Sequence, residues 1–472
     1  MTDRPLVIDL DDTLIRTDLL VEAACRLAAT RPFACARLPL WLLGGKAALK
    51  TRLAEEVAID PALLPYNEPL LDHLRRERAN GRPLYLASAS PRKFVAEVAR
   101  HLDLFDGWFA TENENLSGRA KAKLLTEKFG PGGFDYVGNS MADLPVWEKA
   151  GRAIAANASF GVLRRFSARH PEGEVFSRRA PHGRALVKAL RPHQWLKNLL
   201  IFVPILAGHV TGSLPAFSSL LAFVAFSLGA SATYVLNDLA DLESDRRHRS
   251  KRNRPFAAGQ VPVIHGLLMF PLLLLASLAL GMFVGAQFLL VLIAYMAITL
   301  SYSLGLKRLV LIDVMTLAGL YTLRIMAGSA ASQVPVSYWL LMFSLFLFFC
   351  LALVKRYTEL KVELERGGMR PSGRGYSVAD LPVLSTMASA TGFGAVLIVA
   401  LYVNSDAVRV LYARPDFLWL ICPLLFYWIA RVLILAHRGE MHDDPVVFAA
   451  TDWQSLVVGL GVVLTAALAT MA

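Results

Sequence analysis

Asn237-Asp238-Leu239-Ala240-Asp241-Leu242-Glu243-Ser244-Asp245 follows at once on an apolar run from Phe217 to Leu236. Asn237, Asp241 and Asp245 stand four residues apart, a spacing that puts all three on one face of a helix. Carboxylates at the mouth of a membrane helix repel one another and resist leaving water, so a divalent cation is the natural compensation. Hard oxygen donors favour Mg²⁺ carried with substrate phosphates, which makes Asn237, Asp241 and Asp245, with Asp238 beside them, the expected metal site. The basic residues Arg246, Arg247, Arg249, Lys251, Arg252 and Arg254 come next and suit the phosphate oxygens that such a metal leaves free.

Working outward, apolar runs recur near 195–213, 217–236, 264–284, 286–304, 309–329, 336–354, 383–404, 415–436 and 453–471, which predicts an all-α membrane body of nine spans over 191–472. The hydrophobic share of 55% exceeds what a soluble globule of 472 residues needs. Lys and Arg fall after the second, fourth, sixth and eighth spans, with Arg409 and Arg414 after the seventh as the exception. That bias predicts a multi-pass protein of the plasma (inner) membrane, with its N-terminus and polar clusters cytoplasmic. Residues 1–9 lack the basic start and long apolar core of a signal peptide. The formal charge of +11 suits an anionic membrane face or a phosphorylated substrate. There is no zinc-finger or RNA-binding signature, so nucleic acid is not an expected partner. Cys25, Cys35, Cys350 and Cys422 are scattered and imply no disulfide framework.

Residues 1–160 alternate short apolar runs with helical patterns, as in Leu6-Val7-Ile8, Leu84-Tyr85-Leu86-Ala87 and Phe134-Asp135-Tyr136-Val137. This predicts a Rossmann-like α/β domain, a parallel sheet wrapped by helices with its chemistry at the carboxyl ends of the strands. Each run ends in polar residues: Asp9-Leu10-Asp11-Asp12-Thr13, Ser88-Ala89-Ser90 and Gly138-Asn139-Ser140-Met141-Ala142-Asp143, with Lys121 between the last two. In this order they resemble the four motifs of the haloacid dehalogenase superfamily of phosphatases. The resemblance implies Asp9 as nucleophile, Asp11 as general acid and base, Ser88 and Lys121 as phosphate holders, and Mg²⁺ on Asp9, Asp11, Asn139 and Asp143. Asn139 stands where that family usually has an acid, and it brings a carbonyl oxygen but no charge to a metal. The family also implies a helical cap, here about 15–80. Within it Phe33 to Leu43 is apolar, with Arg31, Arg37, Lys46 and Lys50 in and around it. A helical core accounts for these residues; so does a cap resting on the membrane surface to admit a lipid-borne phosphate. Residues 161–190 are rich in Arg and read as a basic linker at an anionic surface.

In the membrane body the 237–245 motif after the second span is similar to the first aspartate-rich motif of the UbiA-type intramembrane prenyltransferase superfamily. Where that family carries a second acidic motif, this chain has Lys355-Arg356-Tyr357-Thr358-Glu359. This departure, with Arg191-Pro192-His193-Gln194-Trp195-Leu196-Lys197-Asn198, Lys251-Arg252-Asn253-Arg254-Pro255, Leu323-Arg324 and Asp443-Asp444-Pro445, resembles the decaprenyl-phosphate phosphoribosyltransferase branch. The likeness implies transfer of 5-phosphoribose from phosphoribosyl pyrophosphate to a polyprenyl phosphate, with Asp241 catalytic and Lys197, Arg252 and Glu359 at the substrate. Joining two anionic molecules calls for cations, and Lys355 and Arg356 supply them. Tyr302 and Lys307 suit a pyrophosphate site. Arg324, inside a span, either meets a substrate anion or pairs with a carboxylate such as Asp313. The head would then dephosphorylate the product. Two other readings stay open at this point, prenyl transfer to a quinone or other aromatic precursor and a non-catalytic membrane carrier or scaffold; a homo-oligomer is open as well.

Overall fold

The computed structural model describes residues 4–112, 114–179, 181–210, 212–365, 367–368, 374–441 and 444–471. The chain divides into two compact units, residues 1–190 with 234–270, and residues 191–233 with 271–472.

The first unit holds a six-stranded sheet, β1 (Leu6–Ile8), β2 (Leu84–Pro91), β3 (Gly107–Thr111), β4 (Asp135–Gly138), β5 (Arg152–Ala155) and β6 (Glu174–Val175), in the order β3-β2-β1-β4-β5-β6. Every neighbouring pair is parallel, with Leu6 opposite both Leu84 and Asp135. β1 is apolar throughout because both faces are covered: Leu6 and Ile8 pack into one cluster with Phe94 and Val98, and Val7 into another with Tyr136 and Trp147. The α/β expectation for the head therefore holds. Between β1 and β2 lie the helices expected there, including Leu19–Thr30, Leu38–Leu43, Gly45–Glu56 and Glu68–Ala79. Asp18 caps the first, accepting from the Leu20 and Val21 amides at 2.8 and 3.1 Å.

Residues 161–190 are not a plain linker. Phe160–Arg169 is a helix that buries Val162 and Phe166, the latter edge-on to Trp147 at 4.7 Å, and Glu174–Val175 adds the sixth strand beside β5. The arginines of this helix face out and mask its apolar stripe in the composition.

Among the described residues eight helices, not nine, are long and apolar enough to cross a membrane: Ser213–Ala240, Val263–Val284, Ala286–Leu304, Ile312–Ser332, Tyr338–Glu365, Val378–Val403, Pro415–Arg438 and Trp453–Thr470. The expected first span is instead a 3-10 helix, Pro192–Phe202, followed by Val203–Ala207. Pro204 lacks an amide donor where the 3-10 segment meets the short helix, and His209 takes a left-handed backbone (φ 52°), so no single regular helix runs from 195 to 210. This tighter segment packs on Ile312–Ser332 at Gly328, where an added Cβ would lie 2.0 Å from the Ile201 carbonyl oxygen. Gly328→Val should therefore push the two elements apart and cost at least about 1–3 kcal/mol. The expected outcome is a lower unfolding temperature of the detergent-purified protein; an unchanged temperature would show that the contact yields freely.

Candidate functional site

Three clusters of buried charge lie where the sequence placed candidate residues. The first sits at the carboxyl edge of the sheet. Asp9 ends the central strand, its amide bonded to the Val137 carbonyl at 2.9 Å, and the chain then turns through Leu10–Leu14 with Asp12 at φ 55°. Lys121 Nζ lies 2.7 Å from Asp9 Oδ1 and 3.7 Å from Asp143 Oδ1, and donates to the Tyr136 hydroxyl at 2.9 Å. Tyr136 in turn donates to Asp143 Oδ1 at 2.7 Å. Asp143 Oδ2 accepts from the Asn139 and Ser140 amides at 3.1 and 2.9 Å. Both of its oxygens are thus engaged in bracing Lys121 and the turn after β4. Gly138 is required here, since a Cβ would lie 2.8 Å from the Asp143 carboxyl carbon.

Asp11 is held apart from that triad. Ser88 and Ser90 donate to Asp11 Oδ2 at 2.9 and 2.7 Å, and the Leu19 amide donates to Oδ1 at 3.0 Å. Burial pushes the Asp9 carboxyl up to about 7 against the pull of Lys121, and burial with the nearby charge of Asp18 pushes Asp11 up to about 6. Burial opposes the charge of Lys121, yet Asp9 and Asp143 raise its pKa. Two acids near neutrality with different partners are the arrangement that lets one act as nucleophile and the other as proton donor. Lys50, from the cap helix Gly45–Glu56, donates to the Ala89 carbonyl at 2.6 Å and to Asn115 Oδ1 at 2.7 Å. It was singled out in the sequence only as a basic flank; contacts 39 and 65 residues away in the chain bring it to the site.

The second cluster is the acid-rich stretch. The helix Ser213–Ala240 ends before Asp241, which stands at the start of a further short helix, Leu242–Arg247, without a side-chain bond to it. The four-residue bonds carry on across the break, from the Asp241 amide to the Asn237 carbonyl (2.9 Å) and from Asp245 to Asp241 (2.8 Å), so the expected common face survives. Arg254 bonds Asp238 Oδ1 at 3.1 Å and Asp245 Oδ2 at 2.6 Å. Asp245 is pushed up by its burial, against Arg254. Arg246 and Arg247 are likewise engaged, Arg246 with Glu22 at 2.9 Å and Arg247 with Glu243 at 2.6 Å. The expectation that this whole basic run faces a ligand therefore needs correction. Arg249, Lys251 and Arg252 are exposed, as is Arg247 despite its pair with Glu243. Among the described residues no donor reaches the half-buried Asp241 carboxylate, and no three His, Cys, Asp or Glu side chains converge to hold a metal. The oxygen chemistry of Asn237, Asp241 and Asp245 nevertheless suits Mg²⁺, provided a diphosphate completes its shell.

The third cluster lies in the second unit. Arg356, 2% exposed, sits 2.6 Å from Asp313 Oδ2, bonds Glu359, and donates to the Tyr302 hydroxyl at 3.0 Å. Tyr376 donates to the other Asp313 oxygen at 2.6 Å, and Arg374 donates to Tyr302 at 3.0 Å and to the Lys307 carbonyl at 3.2 Å. Arg356, Glu359 and Tyr302, expected at the substrate, are thus joined to Asp313 in a buried hub between three helices. Arg324 does not pair with Asp313. It donates to Asn198 Oδ1 at 2.9 Å, the Leu320 carbonyl at 2.6 Å and the Tyr295 hydroxyl at 3.1 Å, with its guanidinium 5.3 Å from the Tyr321 ring. Lys197 lies 5.8 Å from the same ring and bonds Asp444, which Lys355 approaches at 4.0 Å. The structure therefore brings Lys197, Lys355 and Arg324 together and separates them from Arg356, the immediate neighbour of Lys355. Asp444 was not expected as a site residue, although its motif was noted; the two lysines hold its carboxyl below the usual range despite its burial. Asp443 lies outside the described residues.

The profile of the UbiA prenyltransferase family matches residues 199–470. The chain belongs to that family. This UbiA-family chain is 38% identical over 461 residues to the uncharacterized protein y4nM of Sinorhizobium fredii, covering 96% of this chain and 89% of the relative. It is 36% identical over 277 residues to the nodulation protein NoeC of Azorhizobium caulinodans, covering 59% and 90%. It is also 35% identical over 210 residues to the decaprenyl-phosphate phosphoribosyltransferase of Mycolicibacterium smegmatis, covering 43% of this chain and 66% of that one. A membrane transferase is thus established at the family level.

Lys355→Ala and Arg356→Ala should behave differently. Removing Arg356 strands the buried Asp313 and is expected to cost about 3–5 kcal/mol, seen as loss of the folded peak in size-exclusion chromatography after mild heating. Lys355→Ala should keep that peak, because Asp444 retains Lys197.

Proposed function

We propose that this chain transfers 5-phosphoribose from phosphoribosyl pyrophosphate to a polyprenyl phosphate, and that its α/β domain is a haloacid dehalogenase-type phosphatase that removes the 5-phosphate from the product. The observation that carries the first part is the grouping of Lys197, Lys355 and Arg324 around Asp444 and Tyr321, a cation-rich cluster where an ordinary prenyltransferase resemblance would call for acids. The 35% identity to a decaprenyl-phosphate phosphoribosyltransferase supports it.

In the transfer step an oxygen of the lipid phosphate attacks the anomeric carbon. The bond from that carbon to the pyrophosphate oxygen breaks, and pyrophosphate leaves with the electron pair. Asn237, Asp241 and Asp245 would hold Mg²⁺ on the donor diphosphate, where the metal supplies neutralisation of the leaving group. Lys197, Lys355 and Arg324 are the side chains for the phosphate oxygens, with exposed Arg252 and half-buried Lys307 as further contacts. In the head, Asp9 attacks the 5-phosphorus while Asp11 protonates the departing ribose oxygen, and water then releases phosphate from Asp9. Ser88 and Lys121 hold the phosphoryl oxygens. Asp9 and Asn139 are the oxygen donors for a metal there, while Asp143 braces Lys121.

Lys- and Arg-rich loops support a cytoplasmic side for the head and the acid-rich loop in the plasma membrane. The segment Pro192–Phe202 with Val203–Ala207 extends about 30 Å at roughly 2.0 and 1.5 Å per residue, long enough to make the crossing that precedes Ser213–Ala240. The family name favours a second reading, prenyl transfer to an aromatic precursor. Purified protein given labelled phosphoribosyl pyrophosphate and polyprenyl phosphate distinguishes the two, since only the first reading yields a labelled lipid.

Asp241→Asn should reduce lipid labelling by at least about a hundredfold at limiting Mg²⁺, while hydrolysis of a small phosphate ester by the head persists. Labelling near the wild-type rate would remove Asp241 from the metal site. Asp9→Asn should leave labelling intact and make the lipid accumulate in its 5-phosphorylated form, read by thin-layer separation. A wild type that also stops at the phosphorylated lipid would exclude this product as the head's substrate.

A further inference from the structure

The cap of the α/β domain has an apolar face that its own fold does not cover. Over Pro32–Leu43 a 3-10 turn leads into the helix Leu38–Leu43. Phe33 is 94% exposed, Leu43 85%, Leu40 64% and Leu42 52%, while buried Trp41, with the partly buried Ala34, Cys35 and Leu38, anchors the segment in the cap core. Exposed Arg37 and Lys46 flank this face. An apolar face with a basic rim has the composition of a segment lying in the interface of an anionic bilayer.

A second, independent observation says which surface lies next to it. The cap helix Leu19–Thr30 carries Glu22, which forms a two-bonded pair with Arg246; these side chains are 7% and 8% exposed. The same helix carries Arg26, paired with Glu243. Gly259 packs so closely on Arg16 that a Cβ there would lie 2.6 Å from the Arg16 Cβ. Residues 241–262 join Ser213–Ala240 to Val263–Val284, two helices long and apolar enough to span a membrane. The cap is therefore fastened to a loop that enters lipid at both ends.

We infer that Pro32–Leu43 is an interfacial segment that inserts Phe33, Leu40, Leu42 and Leu43 among the acyl chains of the bilayer, with Arg37 and Lys46 at the anionic headgroups. Its use rests on the phosphatase reading above; the docking itself does not. Directly after the segment, past Gly44 and Gly45, the helix Gly45–Glu56 sends Lys50 to the Ala89 carbonyl, beside the serines that hold Asp11. The lipid-facing part of the cap and its site-facing lysine thus lie on consecutive helices, so a phosphate carried on a lipid reaches the sheet edge at the level of the membrane.

The test uses the full chain, one copy per nanodisc of anionic lipid, with the partly exposed Cys35 and Cys422 replaced by Ser. A polarity-sensitive fluorophore is attached to Leu43→Cys or, as a control on the sheet domain, to Lys123→Cys, a site 79% exposed. Nitroxide carried on the acyl chains should quench the label at 43 by about two-fold or more, and aqueous iodide should quench only the label at 123. Equal acyl-chain quenching at the two sites overturns the inference, as does a label at 43 shielded from iodide but unquenched from lipid, which would mean a protein partner. If docking serves the head, Phe33→Ser/Leu40→Ser/Leu43→Ser raises the KM for the lipid-borne phosphate several-fold and leaves that for a soluble phosphate ester unchanged. Lipid quenching without any phosphatase activity would leave the docking standing and remove the phosphatase reading.

Discussion

Arg246 and Glu22 are withdrawn from water together, and each is tolerable there only because the other is present. Thr17 donates to the same Glu22 carboxylate, and the Ala257 carbonyl accepts from Arg246, so the remaining hydrogen-bonding capacity is used as well. This pair joins the cap of a sheet domain to the loop that carries the acid-rich motif. Loop and cap consequently belong to one compact unit, although more than two hundred residues separate them in the chain. The exposed apolar face of the cap makes physical sense only beside that connection.

The same requirement is met differently wherever charge is buried. Lys121 is shared by Asp9 and Asp143, and its single positive charge only partly offsets the burial, and the neighbouring carboxylates, that raise the Asp9 carboxyl. Arg356 is consumed by Asp313, Glu359 and Tyr302, so its charge holds helices together. Arg324 has no carboxylate at all among the described residues; a side-chain amide, a carbonyl, a hydroxyl and aromatic faces serve it instead. Neutral partners leave the positive field of Arg324 uncancelled, and an anion gains from that field in a way it cannot at Arg356.

The sequence by itself determined the large divisions. Alternating apolar runs ending in acids dictate a parallel sheet with its polar edge at the strand ends, because a strand covered on both faces must be apolar throughout and chemistry is then left to its termini. Apolar runs of about twenty residues dictate membrane helices, since lipid accepts backbone only when its hydrogen bonds are closed within the segment. The residues of the sheet-edge cluster were legible for the same reason: Asp9 and Asn139 directly follow strands, and Ser88 lies in the carboxyl half of one, so their register fixes where they emerge.

Only the tertiary structure decided which charges answer one another. Lys355 and Arg356 are adjacent in sequence, and they point to different neighbours because successive residues on a helix lie about 100° apart, a fact that becomes a difference in role only once Asp444 and Asp313 are in place. Arg254 read as a ligand for phosphate until the fold set it between Asp238 and Asp245. Lys50 read as a basic flank until the cap folded over the sheet. Residues 195–213 read as one regular helical span because hydropathy counts side chains and not backbone donors, and Pro204, which lacks a donor, sits where the 3-10 segment gives way to the short helix Val203–Ala207. Local pattern fixes what each segment buries; pairing between distant segments fixes what each buried charge meets.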